Sequence, residues 1–293
     1  MKFAIIGDIH GYWNSQDLRY FNDSDYDFLL FTGDLPTYFS GPSLIPKRLS
    51  GLKKKAYLIP GNHDSSNLFQ LTGELFQNKF LIQKGFLGQE KRLAKFKKDI
   101  APVELCYYTY RQEEDYALLF CRPFSMGGPF LSFQPFLSKY CSVNDFEDSI
   151  ALLASIVDEI EEEKLLVISH NGPTGLGDRR EDIWGKDFDP RGGDWGDKDL
   201  EELISYCKKK KKRVELVLAG HMHYSETKRT NFIEKDSTLY LNSARVPRIF
   251  KKGKQMVHRH IRVEFVEAGP EISTVDVYQN EEQVEKLKPL LIS

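Results

Sequence analysis

Five of the seven histidines sit in short blocks with Gly, Asp or Asn, the side chains from which metal centres are built. His10 lies in Gly7-Asp8-Ile9-His10-Gly11 and His63 in Gly61-Asn62-His63-Asp64. His170 lies in Ser169-His170-Asn171-Gly172-Pro173, and His221 and His223 in Gly220-His221-Met222-His223. Asp34 follows Gly33 after the apolar run Phe28-Leu29-Leu30-Phe31. Imidazole nitrogens and carboxylate oxygens are the usual donors to divalent transition metals. Asp8 and His10 are two residues apart, so a strand places both on one face, and at a strand end they can converge on one cation. Asp34 could give an oxygen to each of two metals, Asn62 offers an amide oxygen, and His170, His221 and His223 offer nitrogens. His221 and His223 can serve different ions if the backbone turns between them. Two metals about 3.5–4 Å apart would lower the pKa of a bridging water, making a hydroxide nucleophile, and clamp the oxygens of an in-line displacement.

The elements that must hold these residues are legible as continuous apolar runs. Lys2–Gly7, Phe28–Gly33, Ala56–Gly61, Ala117–Cys121, Leu165–His170 and Val214–Gly220 read as strands covered on both faces. Every candidate ligand lies at or just past the carboxyl end of such a run, where open α/β sheets gather functional residues. A helix is expected over about Asp145–Glu163, with Asn144 and Glu147 resembling a capping box, and another over Lys198–Lys212. Strand signals return at Thr238–Asn242, Met256–Val266 and Ile272–Tyr278, implying a second sheet packed on the first. The expected organisation is a single domain over 1–293. It carries a lid-like insertion at about 65–140 and a substrate-side loop at about 172–197, the latter too long and aperiodic to be a simple connection.

Bulk properties exclude some functions. A net charge of -2 gives no global attraction to nucleic acid or to membrane surfaces, and no apolar stretch approaches the length of a membrane span. The apolar run Phe3 to Ile6 is too short for a signal-peptide core, and Cys106, Cys121, Cys141 and Cys207 form no Cys-x-x-Cys pair. A reducing, cytoplasmic compartment is the expectation. Oligomeric state is not encoded in any pattern found.

Taken in order, Asp-x-His, Gly-Asp, Gly-Asn-His-Asp, a lone His and Gly-His-x-His resemble the calcineurin-like metallophosphoesterase superfamily. All five blocks fall between residues 7 and 223. The resemblance implies an α/β fold, a four-layer αββα sandwich of two mixed β-sheets flanked by helices. It implies two divalent metal ions (Mn, Fe, Zn, Ni or Co), one held by Asp8, His10, Asp34 and His223, the other by Asp34, Asn62, His170 and His221. His63 would protonate the leaving group or stabilise the transition state, oriented by Asp64. Many members carry a second acid three residues after Gly-Asp, and the Ser/Thr protein phosphatases follow it with Arg. Here the positions hold Thr37 and Tyr38, which disfavours a protein phosphatase. Phosphodiesters are slightly favoured over monoesters, and a small-molecule substrate over nucleic acid. The segments Cys121–Gly128, His170–Gly177 and Leu241–Arg248 resemble uncharacterised phosphoesterases of cyanobacterial and plastid type.

Other residues carry competing readings. Arg179, Arg180 and Arg191 suit substrate phosphate, as Asn171 suits substrate, yet Asp178, Glu181, Asp182 and Asp189 could equally pair with the arginines on the surface. Lys91–Lys98 reads as a surface helix by default and as a phosphate-binding lid, or the guide of a nuclease, by alternative. Lys208–Arg213 reads as a solvated helix end. Trp184 and Trp195 read as loop packing, and His258 and His260 as solvent-facing strand residues. A non-catalytic scaffold for protein binding is the rival from another class; loss of several ligands would signal it, and none is missing.

Overall fold

Strict alternation along the strands decides the layering. In β1 (Lys2–Ile6), Phe3 and Ile5 point to one side and Ala4 and Ile6 to the other, and all four are buried. The computed structural model describes residues 1–36, 43–225, 229–279 and 281–292. One sheet runs β14 (Glu282–Lys286), β13 (Gly269–Val277), β12 (Gln255–Val266), β1, β2 (Phe28–Phe31), β3 (Lys55–Leu58) and β4 (Glu104–Leu105), with β11 (Ile249–Lys252) paired to β12. The other runs β15 (Leu290–Leu291), β9 (Phe232–Lys235), β10 (Thr238–Asn242), β8 (Arg213–Ala219), β7 (Lys164–Ile168), β6 (Tyr116–Phe120) and β5 (Thr109–Glu113). Both sheets are mixed: β1 to β4 are parallel while β12 meets β1 antiparallel, and β6, β7, β8 and β10 are parallel while β5 and β9 are antiparallel.

The middle layer of the core comes from the inner faces of both sheets. Phe3, Ile5, Phe28 and Leu30 meet Leu118, Phe120, Leu166, Ile168, Leu216 and Leu218 there. On the outer face of the first sheet pack α1 (Ser15–Asp23), α2 (Leu44–Leu49), α5 (Gln89–Ile100) and α6 (Gln134–Cys141). On the outer face of the second pack α7 (Phe146–Glu159) and α8 (Lys198–Lys209), through Leu153, Ile156, Leu200 and Leu203. The result is the αββα sandwich. Each fully buried Leu, Ile or Phe contributes about 1.5–3 kcal/mol to holding these layers together.

Several local expectations need correcting. The N-cap of α7 is Asp145, whose side chain accepts from the Asp148 amide; Asn144 lies one residue outside the helix and bonds the Asp148 carboxylate. His258 and His260 are buried, not solvent-facing. Helix α1 covers the face of β12 that alternation would expose. It supplies Asp17, whose Oδ1 lies 2.9 Å from His258 Nδ1 and from Arg248 Nη1, while the Tyr26 hydroxyl lies 2.7 Å from His260 Nε2.

The stretch 65–140 is not one continuous insertion. Helix α3 (Leu68–Leu75), α4 (Lys79–Phe86) and α5 form a helical excursion, but β4, β5 and β6 belong to the two sheets. The departure after Asp34, at Thr37 and Tyr38, lies outside the described residues. Among the described residues no helix is long and apolar enough to cross a membrane.

Candidate metal centre

The loops after β1, β2, β3, β7 and β8 meet at one edge of the sandwich. Asp8, His10, Asp34 and His221, all non-glycine, adopt φ of 36°, 41°, 53° and 67°. Left-handed backbone costs a non-glycine residue energy and persists only where the surroundings enforce it, often at functional sites. Enforcement here is by hydrogen bonds between loops. His10 N donates to Asp34 O (2.8 Å), Gly11 N to Leu35 O (3.0 Å), and His221 N to Asp8 Oδ2 (3.1 Å).

Asp34 is the hub. Its Oδ2 lies 3.6 Å from His10 Nε2, 3.5 Å from His170 Nε2 and 3.9 Å from His63 Nε2, while Oδ1 accepts from the His63 amide at 2.8 Å. Candidate donor atoms fall into three groups, each within 4.8 Å: Asp8, His10 and His223; His10, Asp34 and His63; Asp34, His170 and His221. His221 and His223 thus belong to different groups, as the left-handed turn at His221 allows. Asn62 Oδ1 sits 2.9 Å from His170 Nε2, beside the third group.

The donor chemistry fits cations. The Thr32 carbonyl lies 2.6 Å from His170 Nδ1 and can only accept, so it takes the ring proton there. That leaves His170 Nε2 facing Asn62 Oδ1 and Asp34 Oδ2, two oxygen acceptors. A second proton, a metal ion or a rotated Asn62 amide satisfies this arrangement. Without a metal the proton is favoured: burial works against it, but the Asp34 and Asp8 carboxylates push His170 up to about 10. Burial and the neighbouring His170 push His221 down to about 3, and its Nε2 donates to Met126 O at 3.1 Å, leaving Nδ1 as the lone pair. Asp34 is held well below the usual carboxylate range: burial opposes this, but His63, His170 and His10 outweigh it. At the other group, His223 Nε2 lies 3.1 Å from Asp8 Oδ2 and 3.0 Å from His10 Nε2.

Asp64 is fully buried, and its bonds go to main-chain donors: Gly61 N (2.9 Å) and Asp34 N (2.8 Å) on Oδ2, Leu35 N (2.9 Å) on Oδ1. It braces the two loops that present Asp34 and His63. Burial, then the Asp34 charge, push its carboxyl up to about 7.

The three arginines weighed between substrate phosphate and surface pairing lie on the 172–197 loop. Arg191 pairs with Asp189, Arg180 donates to the Asp187 carbonyl, and the exposed Arg179 caps a turn through its amide on Asp182. None of the three lines the cavity beside His221 and His223. Asn171 is buried; its Nδ2 donates to Trp195 O at 3.0 Å. Lys91–Lys98 lies on α5 with Leu93 and Phe96 buried, and Arg92 is tied to the carbonyls of Ser65, Leu87 and Gly85. Lys208 and Lys209 occupy the last turn of α8. Trp184 is buried, whereas Trp195 lines the cavity. A larger cavity of about 930 Å³, between the Lys208–Glu215 and Val266–Pro289 regions, shares no residue with the metal groups.

Two features escaped the sequence reading. Gly61 and Gly220 allow the loops to close, because a Cβ on Gly61 would stand 2.3 Å from Asp34 Oδ1 and one on Gly220 2.2 Å from Asp8 Oδ1. Arg122 is buried with Asp197 (2.7 Å) and Asp199 (2.8 Å), fastening the end of β6 to the end of the 172–197 loop. The available signal was an Arg directly after an apolar strand.

The model of the calcineurin-like phosphoesterase family matches residues 1–225. No curated protein matches the chain. Similar solved structures include zinc-complexed Vps29 from Entamoeba histolytica, at 12% identity and a TM-score of 0.40 over 98% of each chain. An archaeal phosphodiesterase is 12% identical with a TM-score of 0.41, over 98% of this chain and 100% of its own. Phosphopantetheinyl hydrolase from Mycobacterium tuberculosis is 13% identical with a TM-score of 0.44, over 82% and 88%. Likeness at this level says nothing about substrate or partner.

Proposed function

The chain belongs to the calcineurin-like phosphoesterase family, and we propose that it is a hydrolase of phosphoesters, diesters ahead of monoesters, dependent on two divalent cations. One observation carries the reading: the Asp34 carboxylate stands between two clusters of donors, with imidazole nitrogens and oxygens converging where a cation would satisfy them together. Asp8, His10, Asp34 and His223 would hold one ion, and Asp34, Asn62, His170 and His221 the other. Mn, Fe, Zn, Ni or Co all suit this mixed donor set. When bound, the ions supply Lewis acidity toward phosphoryl oxygens and lower the pKa of water, so hydroxide is available as the nucleophile.

The protein's own part is positioning. The Thr32 and Met126 carbonyls fix the tautomers of His170 and His221, and Asp64 holds the Asp34 and His63 loops in register. His63, partly exposed beside Asp34, would donate a proton to the departing alkoxide. The grouping of His63 with His10 and Asp34 also permits ligation, so metal retention in a His63 variant decides between the two roles. The deciding experiment is elemental analysis of the purified protein, then a screen of phosphomonoesters, phosphodiesters and nucleic acids with the native metal restored. Two equivalents of metal and turnover of a phosphodiester are expected. A metal-loaded protein inert on every phosphoester would overturn the reading.

A further inference from the structure

A cavity of about 320 Å³ opens directly beside His221 and His223. Its walls are Met126, Phe130, Phe188, Trp195 and Met222. Its acidic residues are Glu74 and Asp187, and no Lys or Arg lines it among the described residues. The walls are built rather than incidental. Trp195 Nε1 donates to Met126 O at 2.8 Å, its carbonyl accepts from Gly128 N, and Phe188 packs edge-on against its ring at 5.0 Å. Glu74 Oε1 accepts from the Phe133 amide at 2.8 Å, and Asp187 pairs with Arg229 at 2.8 Å. Lys186 lies 5.1 Å from the Trp195 ring centroid but pairs with Asp189 instead of lining the cavity. Phe130 and Phe188 remain 52% and 59% exposed at the mouth, Phe188 held by Trp195 on one side and 5.5 Å from Lys186 Nζ.

A second phosphate or a sugar-phosphate chain would ask for cations here, and among the described residues no Lys or Arg lines the cavity. An aromatic ring finds edge-to-face partners and polarizable thioethers. We infer that this cavity seats an uncharged aromatic group of the substrate, next to the phosphoryl group held at the metal residues. The inference rests on the proposed hydrolase reading and adds the class of group attached to the phosphate. It disfavours nucleic-acid strands, whose neighbouring phosphates would find no lysine or arginine in this lining.

The test is calorimetric binding to Mn-loaded protein of methylphosphonate, benzylphosphonate and 4-carboxybenzylphosphonate. Benzylphosphonate binds at least five-fold tighter than methylphosphonate, and the added carboxylate abolishes that gain. In Phe130→Ala and Phe188→Ala the benzyl preference falls at least three-fold. Both rings are more than half exposed, so the variants fold, which a thermal melt checks. A benzyl-to-methyl ratio under five-fold, a preference that survives in both variants, or tighter binding of the carboxylate analogue each overturns the inference. Should methylphosphonate bind without a benzyl preference, only the aromatic assignment fails. If no phosphonate binds and no phosphoester is hydrolysed, the hydrolase reading fails first.

Discussion

At the scale of single residues, the site turns on where protons reside. His170 gives its Nδ1 proton to Thr32, so its other nitrogen is committed to Asp34 and Asn62. Asp34→Asn removes the one charge common to both donor groups; metal content measured by elemental analysis should fall by more than half, and turnover with it by about 10³-fold or more. His63→Ala should keep both metals and lose about 10²–10⁴-fold in kcat, most on substrates with poor leaving groups. Release of metal from that variant would make His63 a ligand and sink its role as acid.

Glu74 offers a pH-dependent check that involves no proposed ligand. Burial pushes its carboxyl from 4.5 up to about 7. A group whose folded pKa is raised gives its full stabilisation below the unfolded pKa and loses it as pH rises through the folded one. Relative to Glu74→Gln, the native protein should therefore lose about 3 kcal/mol between pH 4.5 and 7. Urea unfolding of the pair at pH 5 and pH 8 measures this; a difference independent of pH would refute it.

At the scale of elements, strands end in glycine so that loops can approach one another. Gly61 lies against Asp34 and His170, where a Cβ would stand 2.3 Å from one and 2.5 Å from the other. Gly61→Ala should displace both side chains and deplete metal much as Asp34→Asn does, while far-ultraviolet circular dichroism stays native. Full metal content in Gly61→Ala would show that the loops tolerate more movement than this packing implies. The Arg122 cluster does similar work for the long 172–197 loop, tying it through Asp197 and Asp199 to β6. A buried arginine with two carboxylates is costly to break, so the loop that frames the cavity is fixed at its far end.

For the whole molecule, the site is a seam. The first sheet supplies Asp8, His10, Asp34, Asn62 and His63, and the second supplies His170, His221 and His223. Cations bound across that seam should stabilise the sandwich by mass action, about 2.7 kcal/mol at a hundred-fold excess over Kd. Removing metal with a chelator should therefore lower Tm by roughly 5 °C or more, and adding it back should restore the loss. An unchanged Tm, with metal loss verified by elemental analysis, would mean the seam holds without ions.

The sequence by itself determined most strands and the residue types that could bind metal, because continuous apolar runs and strand-end His, Asp and Gly are local patterns. It did not divide the strands between sheets: β12 and β13, expected in a second sheet, join β1, while β6, β7 and β8 form the other sheet with β10, because pairing is set by long-range register. It placed Lys91–Lys98 on a helix and Lys208–Arg213 at a helix end, although only Lys208 and Lys209 are helical and Arg213 already belongs to β8. Tertiary structure alone decided what faces what. His258 and His260 looked exposed because alternation cannot show that α1 covers their face of β12. Phosphate binding and surface pairing stood equal for Arg180 and Arg191 because their partners, the Asp187 carbonyl and Asp189, are set by loop closure, not by spacing. The cavity of Met126, Phe130, Phe188 and Trp195 joins segments far apart in the chain, and no periodicity records it. The donor types are written in the local sequence. Their convergence on Asp34, and the apolar wall beside it, exist only once distant strand ends are packed together.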